Sequence, residues 1–290
     1  MAEIVVVGSA NIDRTVVVAH FPEPGETVTG GPVAAGQGGK GANQAVVAAR
    51  FGRSVAFVGR VGSDADGRSI RADLRSEGVD VSYLRDSPGP SGAAFICVDP
   101  HAENFIVVSP GANALVTRED VAAATDQLVQ ARVLLVQLEV PLEAVKAALE
   151  LAVGVRVLNP APARPLPEDL LSRVDVLIPN TSELGTLTGT TCPSAHAEIA
   201  ELASILGVDN VIVTLGADGA LVINHGKYQH LPALPVRPVD TTGAGDTFCA
   251  TVADGLARDL SLIVAAKRAV RAAGRATTAK GARPRVPLSP

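Results

Sequence analysis

The chain has 290 residues, 47% of them hydrophobic and 3% aromatic, with a formal net charge of −5. That length holds one large α/β domain or two small ones. No apolar run approaches the length of a membrane span, and with neither a basic block nor stacking aromatics, nucleic acid is excluded as the main partner.

In chain order, short β-branched runs predict strands at Ile4–Val7, Val55–Val58, Val133–Leu138, Val155–Leu158, Val174–Ile178, Val211–Leu215 and Ala220–Ile223. Helix-like stretches fall between them at Gly41–Phe51, Gly67–Glu77, Glu119–Gln130, Leu142–Ala152, Ser194–Leu206 and Thr247–Ala257. The alternation predicts an α/β fold with a doubly wound, mostly parallel sheet and helices on both faces. Ligands in such folds collect at the carboxyl ends of the strands. The first strand follows an acidic residue, Glu3, and reads as a buried strand rather than a signal peptide.

Two segments break the rhythm. Residues 14–35 hold Thr15–Ala19 and Glu26–Thr29, and residues 91–109 hold Ala93–Asp99 and Phe105–Ser109. Both read as hairpins without crossover helices, forming either a small β-sheet lid or edge strands of the main sheet. Neither a Pro/Gly/Ser linker nor an internal repeat divides residues 1–290. Cys97, Cys192 and Cys249 are odd in number and lack metal-ligand spacing, which points to a reducing, cytoplasmic compartment. The five histidines are scattered, with no partner at metal spacing.

Residues 240–248, Asp-Thr-Thr-Gly-Ala-Gly-Asp-Thr-Phe, precede an alanine-rich run. The pattern reads as a turn that opens a helix. Gly243, Ala244 and Gly245 would let backbone N–H groups approach an anion, and Asp246 would be a base beside that hole. This suits phosphoryl transfer to a hydroxyl. A tight turn with an Asp cap is the competing reading. A second cluster, Gly36-Gln-Gly-Gly-Lys-Gly-Ala-Asn-Gln44, places Lys40 and Asn43 among four glycines. It matches neither a Walker A loop nor a dinucleotide fingerprint.

Other strand ends carry polar groups. Asn11 and Asp13 follow the first strand and could face a sugar, or form an Asx-turn. Asn180 and Glu183 could hold a hydrated Mg²⁺ or cap a helix. Thr214, Gly216 and Gly219 suit a nucleotide or a turn, while the proline-rich Asn159–Ala163 favours a structural loop.

At these residues the chain resembles the ribokinase/PfkB family of carbohydrate kinases, from about residue 4 to about residue 287. The resemblance rests on Gly8–Asp13, Phe21–Val28, Gly38–Ala45, Gly111–Asn113, Asn159–Ala163, Pro179–Glu183 and Asp240–Phe248. Lys40, Asn43, Gly111-Ala-Asn113 and Asn159–Ala163 are similar to the ribokinase branch. The resemblance implies a doubly wound core with a β-lid, and ATP-dependent phosphorylation of D-ribose to D-ribose 5-phosphate. It implies Asp246 as general base and Gly243, Ala244 and Gly245 as the anion hole. Asn11, Asp13, Gly39, Lys40, Asn43 and Glu139 would hold the sugar. Asn180 and Glu183 would serve Mg²⁺ through water, and Asn180, Thr214, Gly216, Gly219 and Gly245 would line the ATP site. It also implies a homodimer paired through the lid strands.

The family's K⁺ site would use Asp240, Thr242 and carbonyls near Ala276, Ala279 and Gly281, closed by a small polar residue where this chain has Arg285. A guanidinium cannot ligate a cation, and its charge opposes one. Either Arg285 turns outward or K⁺ activation is weakened, and weakened or altered dependence is the expectation. A second departure is the chain's end at Pro290, where relatives often continue into a further helix. Competing readings are a family member acting on another sugar or a nucleoside, a non-catalytic sugar-binding regulator, and, opposed by the missing fingerprint, a dinucleotide oxidoreductase. An intact Asp246 speaks against the regulator.

Overall fold

The computed structural model describes residues 1–101 and 103–285. Its strands are β1 Ile4–Val7, β2 Asn11–Val17, β3 Ala34–Gly38, β4 Val55–Gly62, β5 Val79–Ser87, β6 Gly92–Val98, β7 Asn104–Ser109, β8 Val133–Gln137, β9 Val155–Asn159, β10 Val176–Leu177, β11 Asn210–Thr214, β12 Ala220–Asn224 and β13 Lys227–Leu231. Its helices are α1 Lys40–Arg50, α2 Ala65–Ser76, α3 Arg118–Ala122, α4 Thr125–Gln130, α5 Leu142–Leu151, α6 Glu168–Leu171, α7 Thr181–Thr188, α8 His196–Ser204, α9 Ala244–Ala257 and α10 Leu262–Ala276.

Among the described residues, nine strands form one sheet in the order β13-β12-β11-β10-β9-β8-β1-β4-β5. Pairing is parallel from β10–β11 across to β5, and antiparallel at the β11–β12–β13 edge. The central strand β1 is apolar at every position because both faces are covered. In β1, Ile4 and Val6 pack with α1, α9 and α10 on one face, while Val5 and Val7 pack with α5 and α8 on the other. Strand β8 repeats the pattern with Val133 and Leu135 against Leu134 and Val136.

The remaining strands make a second sheet, β3-β2-β6-β7. Its strands depart from the sequence expectation in two ways. The first hairpin returns through Ala34–Gly38, paired Asn11↔Gly38 to Thr15↔Ala34, and not through Glu26–Thr29. Pro22, Pro24 and Pro32 interrupt donors across the intervening stretch, so no ladder forms there. The two hairpins also join through a parallel β2–β6 pair. The helix expected over Glu119–Gln130 is split into α3 and α4, where the Thr125 hydroxyl donates to the Ala122 carbonyl. No helix among the described residues is long and apolar enough to cross a membrane.

Candidate active site

Strand order reverses between β1 and β8, so the chains leaving these strands diverge and open a crevice. Glu139 stands just past β8 and ties the crevice together. Its carboxylate accepts from the Ser9 hydroxyl and from the Lys40 N–H at 3.0 Å. Gly39 caps α1 at φ +85°, and a Cβ there would come within 2.8 Å of Ala10 Cα and Asn11 N. Only glycine allows the α1 turn to press so closely on the start of β2.

Asp246 is the third residue of α9, whose N-cap, Gly243, is left-handed at φ +74°. The carboxylate is buried and accepts one side-chain amide at each oxygen. Asn43 Nδ2 donates to Oδ2 at 2.8 Å, and Gln44 Nε2 to Oδ1 at 3.0 Å. Gln44 is itself fixed, donating to Asn159 Oδ1 at 3.2 Å and accepting from Gln137 Nε2 at 2.5 Å. Burial pushes the Asp246 carboxyl above the usual carboxylate range. Lys40 and the two amides pull against that rise, and Glu139 adds to it. The Ala244 N–H donates to the Thr241 carbonyl at 3.2 Å.

A cavity of about 150 Å³ opens on this carboxylate. Lys40, Asn180, Glu183, Thr214, Gly243 and Gly245 line it together with Asp246. Burial opposes the charge on Lys40, but Asp246, Glu139 and Glu183 together hold its pKa above the ordinary value. Glu183 is raised, chiefly by burial. Asn180 and Glu183 form a reciprocal capping box on α7, Asn180 Oδ1 accepting from the Glu183 N–H at 2.7 Å and Glu183 Oε2 from the Asn180 N–H at 2.9 Å. The capping role weighed against a metal role is therefore real, and it leaves the second Glu183 oxygen uncommitted to the box.

Asn11 and Asp13 lie on the first turns of β2, at the junction with the lid sheet. Asn113 holds Asn11, donating to its Oδ1 at 2.7 Å while accepting the Ala10 N–H at 3.0 Å. The Asp13 carboxylate fills the space a Cβ on Gly38 would need. Burial, then Glu139 and Asp246, raise Asp13 to about 6, and Arg283 opposes them.

Two further groups sit farther out. Gly219, at φ +98°, packs its Cα against the end of β13, where a Cβ would lie 2.6 Å from Ala233 N; this glycine serves the turn. Among the described residues, neither Gly216 nor Gly219 lines the cavity. The Asp240 carboxylate accepts the Gly281 N–H at 2.8 Å and the Thr242 N–H at 2.9 Å. Burial opposes its charge, but these donors hold Asp240 below its usual range. This clamps the Ala276–Gly281 segment to the turn before α9. Arg285 stands apart. Its guanidinium, 83% exposed, pairs with Glu77 at 3.0 Å. The expected conflict between that charge and a cation in the loop is not built.

Sequence reasoning missed the roles of five residues here. Gln44 and Asn159 complete the hydrogen-bonding around Asp246, and Asn159 and Ala161 line the cavity, correcting the purely structural reading of that loop. Cys249 lines the cavity one turn along α9. Arg283 is 8% exposed, pairs with Asp73 at 2.5 Å and donates to Asn43 Oδ1 at 2.7 Å. Asn43 is thereby held between Arg283 and Asp246. The histidines need correction too: His196 and His230 both meet Asp218.

The family model for pfkB family carbohydrate kinases matches residues 1–288. The chain is 39% identical to a ribokinase of Haemophilus influenzae over 289 residues, covering 97% of this chain and 94% of that protein. It is 36% identical to a deoxyribokinase of Salmonella typhi over 286 residues, covering 96% and 94%. The structure of Arabidopsis thaliana ribokinase complexed with ribose and ATP superposes with a TM-score of 0.86 at 32% identity, covering all of this chain and 96% of that one.

Proposed function

Since this chain belongs to the pfkB family of carbohydrate kinases, we propose that it moves the γ-phosphoryl group of ATP to the 5-hydroxyl of D-ribose. The observation that carries the reading is the buried Asp246 carboxylate, held by Asn43 and Gln44 at the start of α9 and open to one cavity.

In this reading Asp246 takes the proton of the 5-hydroxyl as that oxygen bonds to the γ-phosphorus. The bond from the γ-phosphorus to the bridging oxygen breaks, and ADP leaves. A raised carboxyl suits a general base, because its proton affinity lies closer to the working pH. The Gly243–Gly245 turn and the α9 N-terminus receive the charge on the moving phosphoryl group, and Lys40 adds a fixed cation beside it. Asn11, Asp13, Gly39, Lys40, Asn43 and Glu139 hold the sugar, with Asn113 and Arg283 orienting Asn11 and Asn43. Asn180 and Thr214 mark the nucleotide side of the cavity, and the Gly216–Gly219 turn, outside it, would border the nucleotide farther out.

Asn180 and Glu183 offer only oxygen donors, a set that fits Mg²⁺ bound mainly through its own waters. Bound there, the ion would neutralise the phosphate oxygens. The Asp240 loop, with carbonyls of Ala276, Ala279 and Gly281, is the place for K⁺.

ADP release from Mg-ATP tests the reading, with D-ribose, 2-deoxy-D-ribose, fructose and adenosine compared side by side. Preferential turnover of D-ribose is the expected result. Preference for 2-deoxy-D-ribose would support the second reading, which the identity to the Salmonella typhi deoxyribokinase favours. Ribose binding without turnover of any acceptor would overturn both.

A further inference from the structure

Three side chains far from one another in sequence converge at the outer edge of the main sheet. His196 opens α8, Asp218 ends the short turn after β11, and His230 lies on the edge strand β13. His196 Nε2 is 3.0 Å from Asp218 Oδ2. His230 Nε2 is 3.4 Å from Asp218 Oδ1 and 2.7 Å from the Asp218 carbonyl oxygen. The two imidazoles stack, with centroids 4.3 Å apart and planes 32° from parallel. One ligand atom from each residue falls within 4.8 Å of the other two.

We infer that this cluster binds a transition-metal ion of the Zn²⁺ class. Two imidazole nitrogens and a carboxylate oxygen are donors that suit Zn²⁺, Cu²⁺ or Ni²⁺ rather than Mg²⁺. Around a tetrahedral Zn²⁺ with bonds of ~2.0–2.1 Å, neighbouring donors stand roughly 3.3 Å apart. Each imidazole nitrogen already stands at about that spacing from one Asp218 oxygen, 3.0 Å to Oδ2 and 3.4 Å to Oδ1, and a small turn of the carboxylate brings one oxygen between both rings. Neutral imidazoles are the form that ligates a metal, so His230 would ligate either through Nδ1 or through Nε2 after its hydrogen bond to the Asp218 carbonyl is given up. The three residues come from a helix, a turn and a strand, so the site needs the folded sheet edge. Gly219 helps to fix it: packing of its Cα against the end of β13 leaves the Asp218 turn little room to move. All three side chains are partly exposed, at 32%, 60% and 28%, so an ion can enter and a water can fill the fourth position. The bound ion would tie the Gly216–Gly219 turn to α8 and β13. That turn follows Thr214, which lines the cavity at Asp246.

The test is a titration of the full-length protein, freed of metal by chelation, with Co²⁺ while visible ligand-field absorption is followed. The expected result is saturation at one equivalent, displacement by Zn²⁺, and a higher melting temperature with Zn²⁺. Losing a direct ligand should weaken binding by more than the ~10–100-fold that outer-shell changes cost, so His196→Ala, His230→Ala and Asp218→Asn should each lose most of the signal. Absence of saturable Co²⁺ binding in the unaltered protein overturns the proposal. So does unchanged binding in the His196→Ala/His230→Ala double variant, which would move the ion to His20, His101 or His225. The readout uses neither sugar nor nucleotide, so its failure leaves the kinase reading intact.

Discussion

At the scale of single residues, burial raises the proton affinity of three carboxylates, Asp246, Asp13 and Glu183, and the proposed reaction gives the first two different tasks. Asp246 is to take a proton. Its amide partners, Asn43 and Gln44, hold it in place, and an Asn at position 246 keeps the shape without the base. Asp246→Asn is therefore expected to lower kcat by ~10²–10⁴-fold, with ADP and ribose affinities nearly unchanged by calorimetry; full turnover would remove Asp246 from the mechanism. Asp13 is to accept hydrogen bonds from sugar hydroxyls, which it does best ionised. Burial beside Glu139 and Asp246 raises it to about 6. Ribose affinity measured without ATP should then fall as pH drops through about 6, and Asp13→Asn should bind more weakly with that pH dependence removed. The stability sign is opposite. The folded chain keeps this proton where the unfolded chain has released it, so Asp13 costs stability as pH rises through the same window. That is the signature of a carboxylate held for binding.

At the scale of elements, α9 carries the base, and Asp254 anchors its far half. This carboxylate is fully buried and meets three guanidinium groups: Arg258 one turn on, Arg268 from α10 and Arg53 from the loop after α1. Removing one member of a buried ionic cluster leaves the others uncompensated, at a cost of ~3–5 kcal/mol. Asp254→Ala should lose about that much in urea unfolding, and a loss under ~1 kcal/mol would show that solvent, not Asp254, satisfies the arginines. The Asp240 loop proposed for K⁺ belongs to this scale too. Arg285 is exposed and paired to Glu77, the outward one of the two arrangements weighed for it, so the proposed K⁺ activation is expected not to depend on its charge. K⁺ in place of a bulky organic cation should raise kcat, by the same factor in Arg285→Ala; a factor that rises markedly in the variant would restore the conflict. Such pairings explain what the chain order could and could not reveal. Strands such as Ile4–Val7 were legible because burial on both faces demands unbroken apolar runs. The Gly38–Asn43 and Asp240–Asp246 motifs were legible because close backbone approach demands glycine. Arg283 and the His196–Asp218–His230 cluster were not, since their partners lie far away in sequence and arginine and histidine are ordinary surface residues. Strand β13 carries Lys227, Gln229 and His230, and its polar composition hid it.

At the scale of the whole molecule, the second sheet leaves much apolar surface exposed, with Phe21 packed beside Phe105 at a ring-centroid distance of 6.2 Å. Edge strand β7 is exposed along its full length; Phe105 and Val107 share one face with Phe95, while Ile106, Val108 and Val17 lie on the other. Contiguous apolar patches of this kind mark interaction surfaces, and an open edge strand invites pairing. The same sheet supplies Asn11 and Asp13 at its inner end, two of the residues proposed to hold the sugar. A second copy meeting it through the equivalent face would be self-complementary, which a two-fold dimer requires. The expected state is a homodimer paired through these strands. Sedimentation velocity at micromolar concentration should show the dimer mass for the unaltered chain and the monomer mass for Phe105→Glu/Val107→Glu. Because β2 and β6 bind the same sheet, the monomeric variant should also lose ribose affinity more than ADP affinity. A monomer for the unaltered chain would assign the patch to some other partner and separate the sugar site from assembly.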